Sequence, residues 1–563
     1  MNDQVNILGI SAYYHDSAAC LVKNGELVAA VQEERFNRVK NSPDFPIHAI
    51  NYCIQAGNLS FNDIDYVSFY EKPYLKFSRV IFDHIRNFPF TYGGFLHTIP
   101  IWLQDRLILP LVLKKEVGFE GKTVFIKHHL AHASGSFLVS PFNEAAFIVA
   151  DGVGEYATTS YGFGKGNKIS FLKEIHYPDS LGLLYSAVTA FLGFEANRGE
   201  GTTMALAGFG KPVYVDRFYK MIDVKEDGSF HFNNEYFGFS RGKSMLSDKF
   251  IRLFGKSRKK GTGYDDRHKD IAASLQMFVE ETLIKIANHV HRETKMKNLC
   301  LAGGIFLNCV ANQKILENTP FEKVYIQPGA GDAGGSIGAA MNLYNCILDN
   351  PRCYSMEHAY LGPEFSREQI RRIVKVKNIS YRELNDDELL RETAQLIHRK
   401  KIIGWFHGRL EFGPRALGNR SILANATDPE TVKILNNRVK HREWFRPFAP
   451  VVPEDKAHEY FESCGRSPFM LLAPRVKEHA KALLPAITHI DDTARIQTVS
   501  HIHNPLLYRL LLEYEKISGV PVVINTSFNL QGEPIVCSPE EAINDYLKSE
   551  MDCLILGNIV LMK

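Results

Sequence analysis

Apolar runs alternate with turn residues along the first 35 positions. Residues 6–11, 18–23 and 26–31 read as three strands, and Asn24-Gly25 between the last two is a strong hairpin signal. About 140 residues later the pattern returns. Residues 145–150 form a strand-like run followed by Asp151-Gly152, and 159–164 turns through Lys165-Gly166-Asn167 into 168–174. This predicts one supersecondary unit present twice. A third element joins a strand at 298–302 to Gly303-Gly304, a helical run with Asn308 and Asn312, and a strand at 324–327. The glycine-dense stretch 328–335 then precedes a helical 336–344. Glycines at such a helix start let a ligand approach the backbone and offer amide N–H groups to it.

Around 350–363 the periodicity lapses among Pro351, Gly362 and Pro363. A domain boundary is expected there, dividing 1–352 from 353–563. The second part reads as mixed α/β, with strands at 401–406, 521–525 and 552–556 and helices near 387–399 and 539–548.

Composition narrows the class. At 563 residues and 45% hydrophobic, the chain exceeds what one core supports, so two or three domains are expected. A formal charge of +3 argues against a nucleic-acid partner, and the short basic run 256–260 reads as a solvated loop. The nine cysteines, Cys464 included, are scattered without a C-x-x-C pair, which fits a reducing cytoplasm. The N-terminus lacks the pattern of a signal peptide. The apolar stretch 95–113 is broken by His97, Gln104, Asp105 and Arg106. It falls short of the roughly 18 residues a membrane span needs, so no membrane partner is expected and the stretch reads as a core helix or a lid.

Three constellations carry chemistry. In a helix, His128 and His132 of His-His-Leu-Ala-His lie one turn apart on one face, a spacing that suits either one shared metal or ordinary core histidines. Asp151 and Asp332, each in a glycine-rich loop after a strand, favour the metal, and a mixed N/O set suits Fe(II), Mn(II) or Zn(II). The run 32–40 (Gln-Glu-Glu-Arg-Phe-Asn-Arg-Val-Lys) is a solvated face or, beside the turn bearing His15 and Asp16, part of an acceptor site with His15 as general base. The stretch 404–421 sets Arg409, Arg415 and Arg420 among glycines, a rigid loop suited to bidentate recognition of an anion.

The segments HHLAHASGSF, LCLAGGIFLNCVAN, GAGDAGGSIGAA, GRLEFGPRALGNRSILA and INTSFNLQGEPIV together resemble the O-carbamoyltransferase family of nodulation-factor and antibiotic biosynthesis, the NodU, CmcH and TobZ type. The resemblance runs from about residue 5 to the C-terminus. It implies an α/β protein with a duplicated actin/sugar-kinase-like (ASKHA) ATPase fold followed by a YrdC-like domain. By that resemblance, carbamoyl phosphate and ATP give carbamoyl adenylate in the C-terminal pocket, where Arg415, Lys440, Arg446, Arg495 and Asn525 bind carbamoyl phosphate. The carbamoyl group then passes to a small hydroxylated acceptor at the N-terminal site. There it implies a metal on His128, His132, Asp151 and Asp332, His15 as base, and Lys40 on the acceptor or adenylate. Asp16, Gly303, Gly304, Asn308, Gly331 and Gly335 are the candidate nucleotide-binding residues, with Mg(II) alongside ATP. Thr202 departs from the family, which commonly has lysine there. A sugar or carboxylate kinase, a tRNA-modification factor and a nucleotide sensor are the competing readings, and a homodimer is expected from the commonness of that state alone.

Overall fold

The repeated pattern becomes two five-stranded sheets of one topology. In this computed structural model, which describes residues 4–88, 91–239, 244–463 and 465–563, the chain divides into two compact units. Cys464 and the side chains of His97, Gln104 and Asp105 lie outside the described set. The first unit comprises Met1–Glu33 and Pro43–Met356, the second Glu34–Ser42 and Glu357–Lys563. The second unit thus also takes nine residues from the N-terminal part of the chain.

The first sheet of the first unit contains β1 (Asn6–Ser11), β2 (Ala18–Lys23), β3 (Glu26–Gln32), β4 (Tyr66–Phe69) and β5 (Lys122–Phe125), in the order β3-β2-β1-β4-β5. β1, β2 and β3 pair antiparallel, while β4 and β5 run parallel to β1. Asn24 and Gly25 both adopt positive φ, as a two-residue hairpin requires. In the second sheet, β6 (Glu144–Ala150), β7 (Ala157–Lys165) and β8 (Lys168–His176) are antiparallel. After the small hairpin β9 (Ile222–Val224) and β10 (Phe230–Phe232), β11 (Asn298–Ala302) and β12 (Lys323–Ile326) join it parallel to β6. Its order β8-β7-β6-β11-β12 repeats that of the first sheet, which is the duplicated α/β architecture expected of the N-terminal part.

The helix after the last glycine-dense loop spans Asp332–Met341, four residues ahead of the expected start, so Asp332 occupies its first turn. It packs on the helix His128–Phe137, and the approach depends on Gly338, where an added Cβ would stand 1.8 Å from the Ala131 carbonyl oxygen. The stretch 95–113 falls on the helices Tyr92–Ile101 and Leu109–Val117 with a π-turn between them. Among the described residues no helix is long and apolar enough to cross a membrane. One residue of the basic run is not solvated: Arg258 is buried, donates to the carbonyls of Leu192 and Thr262, and lies over the rings of Tyr264 and Phe194.

The second unit is built on eight strands: β13 (Arg382–Glu383), β14 (Ile403–Phe406), β15 (Arg420–Asn425), β16 (Ala449–Pro453), β17 (Gln497–Val499), β18 (Val523–Ser527), β19 (Cys553–Leu556) and β20 (Ile559–Met562). They lie in the order β13-β20-β19-β14-β15-β18-β16-β17. Both faces are covered, and the side chains alternate between them. Phe406, Ile422, Ile524 and Leu554 pack with Ile370, Val374, Ile543 and Tyr546 on one face. Trp405, Leu423, Val523 and Ile555 pack on the other, against the helices Asp386–His398 and Pro505–Ser518. Each such fully buried side chain contributes about 1.5–3 kcal/mol. The result is a stiff platform for the loop joining β14 to β15.

Candidate functional site

In the first unit, chemistry gathers at the C-terminal ends of parallel strands, where open α/β sheets commonly hold ligands. His128 begins the helix that follows β5, Asp151 directly follows β6, and Asp332 begins the helix after β12. One ligand atom from each of His128, His132, Asp151 and Asp332 lies within 4.8 Å of all the others, and all four residues are buried. His128 Nε2 is 3.1 Å from Asp151 Oδ2 and 3.5 Å from Asp332 Oδ1. His132 Nε2 is 3.8 and 3.5 Å from the same two oxygens.

The two Nε2 atoms stand 3.1 Å apart, close enough for one ring to donate to the other or for both to turn a lone pair toward one shared cation. Ligands at about 2.1 Å from a tetrahedral metal are separated by about 3.4 Å, which is the spacing seen. Asp332 Oδ1 is buried and accepts no hydrogen bond, as a carboxylate kept for a metal would be. The residues therefore fit a divalent ion with mixed nitrogen and oxygen ligands.

Neighbouring groups hold these side chains in place. The His128 backbone N–H donates to both Glu155 oxygens (3.0 and 3.1 Å), so Glu155 caps the histidine helix. Gly304 N–H donates to Asp151 Oδ1 at 3.0 Å, and Ser180 Oγ–H donates to the Asp151 carbonyl at 3.2 Å. Tyr70 meets His128 edge-on at 5.2 Å. Burial alone would lower the His132 pKa, but its close pairing with the Asp151 and Asp332 carboxylates pushes it up to about 9. Asp151, despite its burial, is held well below the usual carboxylate range by His128 and His132. His129 points away to Ser160 Oγ, and burial followed by the neighbouring imidazoles keeps its pKa well below the ordinary value.

The β1–β2 turn brings His15 within the field of this cluster. Burial opposes its charge, yet the hydrogen bond to Asp16 (3.0 Å) and the charges of Asp332, Asp16 and Asp151 raise it to about 9. Tyr14 beside it is raised above the ordinary phenol value by burial and then by Asp332 and Asp151.

The glycine residues separate by role. Gly303 N–H donates to the Ala330 carbonyl at 2.8 Å. At Gly331 an added Cβ would meet only ordinary contacts, 3.9 Å from Leu307 and 4.0 Å from Gly304, so packing does not demand a glycine there. Gly335 lies within its helix, where an added Cβ would stand 2.8 Å from the Tyr70 ring, a packing position. Asn308 caps the helix Cys309–Asn318 and donates to Gln276 Oε1 at 2.8 Å.

In the second unit, the loop between β14 and β15 treats its arginines differently. Arg420, fully buried, donates to the carbonyls of His407, Gly408 and Pro363, and Arg409 donates to those of Gly362 and Leu361. These two shape the loop, and Arg415 stays half-buried at its tip. Glu411 Oε1 accepts the N–H groups of Leu417 (2.8 Å), Asn419 (2.7 Å) and Arg420 (3.1 Å). Those amides are turned inward, so an anion here must be met by side chains.

Asn525 lies one layer beneath, donating to Gln497 Oε1 at 2.7 Å and to the Ala416 carbonyl at 3.4 Å. Lys440, buried, donates to the Ser527 carbonyl and to Asn529 Oδ1 at 2.9 Å. Burial, then the charges of Arg442, Lys40 and Arg446, drives its pKa well below the ordinary lysine value. Burial and then Arg446 and Arg495 lower Arg442, and burial with Arg495 lowers Arg446 against Glu443. Guanidiniums keep their charge, so a bound anion would relieve this crowding of cations. Lys40 lies in the second unit, where its charge acts on Lys440.

Sequence reasoning missed the roles of Glu155 and Glu411. Glu155 stood four residues after Asp151 in the same turn, but Glu411 looked like an ordinary member of a charged stretch.

Comparison with known proteins gives the family. Family models described as carbamoyltransferase N-terminus and carbamoyltransferase C-terminus match residues 6–341 and 394–563. An uncharacterized protein of Synechocystis sp., sll1178, is 44% identical over 99% of this chain and 97% of its own. The nodulation protein NolNO of Sinorhizobium fredii is 34% identical over 98% of this chain and 80% of its own. The solved structure of T. kodakarensis HypF covers 61% of this chain and 48% of its own at 13% identity and a TM-score of 0.32, too distant to bear on function. With both parts of the chain matched in order, this protein is an enzyme that belongs to the carbamoyltransferase family.

Proposed function

We propose that the protein is an ATP-dependent O-carbamoyltransferase acting on a hydroxyl of a small natural-product or sugar acceptor. The observation that carries this reading is the crowding of Lys440, Arg442, Arg446 and Arg495, with Lys40, beside the loop that presents Arg415. Such a pocket suits the dianion of carbamoyl phosphate and the phosphates of ATP. Water cleaves carbamoyl phosphate to carbamate and phosphate. A carbamate oxygen then attacks the α-phosphorus of ATP, and pyrophosphate leaves with the electron pair of the broken P–O bond. Carbamoyl adenylate remains. Arg415 and Lys440 hold the anions and stabilise charge on the transferring phosphoryl group. We assign this half-reaction to the second unit, as a YrdC-like domain.

The second half-reaction belongs to the first unit. A divalent ion, Fe(II) or a similar transition metal, held by His128, His132, Asp151 and Asp332 would bind the adenylate phosphate and stabilise developing charge. Gly303, Gly304 and Gly331 supply backbone at the strand ends for the nucleotide. His15 accepts the proton of the acceptor hydroxyl as the oxygen attacks the carbamoyl carbon, and AMP leaves. The hydrogen bond to Asp16 and then the charges of Asp332, Asp16 and Asp151 hold His15 near 9. A cation held by Asp151 and Asp332 would cancel part of that field and favour the ring form that takes a proton.

Exchange of labelled pyrophosphate into ATP tests this division. Exchange that requires carbamoyl phosphate, survives His15→Gln and is lost in Arg415→Ala supports it. ADP release in place of AMP would assign the chain to a kinase-type reaction.

A further inference from the structure

The charge-dense run after β3 does not stay with the first unit: Glu34–Ser42 is built into the second. Arg35 is 1% exposed, and its Nη2 donates to the Gly413 carbonyl at 2.7 Å. Its Nη1 pairs with Glu34 at 2.7 Å, and the other oxygen of Glu34 accepts the Asn41 N–H at 2.7 Å. Arg38 donates to the Ile535 carbonyl (2.8 Å) and pairs with Glu533 and Glu541, each at 3.2 Å. A buried guanidinium persists where its donors are met, and one donor of Arg35 is aimed at a peptide two residues before Arg415. Gly413, at φ +104°, has a backbone conformation that L side chains rarely adopt and is followed by Pro414. A turn of that peptide would redirect everything up to Arg415.

The far side of the loop is held by Glu411, by the Trp405 indole N–H on the Gly418 carbonyl (3.0 Å), and by Gln497 and Tyr360 on the Leu417 carbonyl (2.7 and 2.8 Å). On the near side the Phe412 N–H donates to the Ala359 carbonyl (2.7 Å), and Arg35 holds the Gly413 peptide itself. We infer that Glu34–Ser42 is a positioning element of the second unit's anion pocket, in which Arg35 fixes the Gly413 peptide and through it the direction of Arg415. The inference rests on the reading of that pocket as the carbamoyl phosphate site. It gives the run at 34–42 a task on the activating half-reaction, where sequence had suggested the acceptor.

A double-mutant cycle on the full-length, metal-loaded protein tests it, with carbamoyl phosphate binding measured by calorimetry for wild type, Arg35→Met, Arg415→Ala and the double variant. Arg35→Met is expected to weaken binding by about tenfold or more. Pyrophosphate release at saturating carbamoyl phosphate should fall by less than about threefold, because an orientation lost in the ground state is recovered once ligand is bound. If Arg35 acts through Arg415, the double variant binds within about twofold of Arg415→Ala alone. Losses that multiply, or an Arg35→Met protein that binds as wild type does, overturn the inference. Should Arg35→Met lose its cooperative melt, Arg35→Lys, which retains one donor, takes its place in the same cycle. Wild-type protein that binds no carbamoyl phosphate overturns the pocket reading and this inference with it, whereas wild-type binding with multiplying losses overturns the inference alone.

Discussion

Replacing Gly338 with alanine tests how the ligand cluster of the first unit is held. The new Cβ would stand 1.8 Å from the Ala131 carbonyl oxygen, 2.7 Å from the Ala131 carbonyl carbon and 2.8 Å from the Gly135 nitrogen. All three are backbone atoms of a helix, so no side chain can swing aside. Cβ contacts below 3.0 Å are essentially never seen, so the helices His128–Phe137 and Asp332–Met341 must part by about 1.2 Å at this point. His132 follows Ala131 directly, and Asp332 opens the other helix. Metal–ligand distances tolerate about 0.2 Å, several times less than the required shift, while overpacking costs about 1–3 kcal/mol of stability. Gly338→Ala is therefore expected to melt a few degrees lower but to bind Co(II), used as an optical probe, about a hundredfold more weakly. A variant that melts lower yet binds Co(II) as wild type does would refute the idea that this helix approach sets the ligand geometry.

Three further outcomes follow from the same structure. Asp332→Asn, which keeps the shape but removes a charged ligand, should lose Co(II) binding at the cluster while retaining carbamoyl-phosphate-dependent pyrophosphate exchange; loss of both activities together would contradict the division of labour between the units. Glu155→Ala leaves the start of the histidine helix uncapped and should cost about 1 kcal/mol in denaturant unfolding, so an unchanged midpoint would deny it that role. Burial first and the charge of Glu533 second raise the Asp545 carboxyl to about 7, against Arg38. Its folded pKa lies above the unfolded value near 3.9, so its contribution is intact below that pH and is lost as pH rises through 7, by at most about 1.4 kcal/mol per pH unit. Asp545→Asn should accordingly melt above wild type at pH 8 with a gap that narrows toward pH 5; a constant gap would rule out this titration.

Features set by local patterning were legible in the sequence. The hairpin at Asn24-Gly25 and the repeated strand–turn–strand unit reappear as two sheets of one order because alternating burial and turn chemistry act over a few residues. The spacing of His128 and His132 placed both on one helical face, and glycine-rich strand ends carried Asp151 and Asp332 to them. What escaped depends on distant partners. Arg35 meets Gly413 across 378 positions, and nothing near residue 35 announces it. Arg409, Arg415 and Arg420 look alike in sequence, and only the fold shows that Arg409 and Arg420 satisfy the backbone carbonyls that shape the loop. Asn308 and Gly335 lie in ligand-like motifs, but one caps a helix and the other makes room for Tyr70.

The central claim is that the cation-lined pocket of the second unit forms carbamoyl adenylate. Metal-loaded protein with ATP, magnesium and carbamoyl phosphate, and no acceptor, provides its most direct test through mass-spectrometric detection of the adenylate alongside pyrophosphate. The account predicts carbamoyl adenylate and pyrophosphate in equal amounts from wild type and neither from Arg415→Ala, whereas ADP as the nucleotide product, or adenylate formation undiminished in Arg415→Ala, would contradict it.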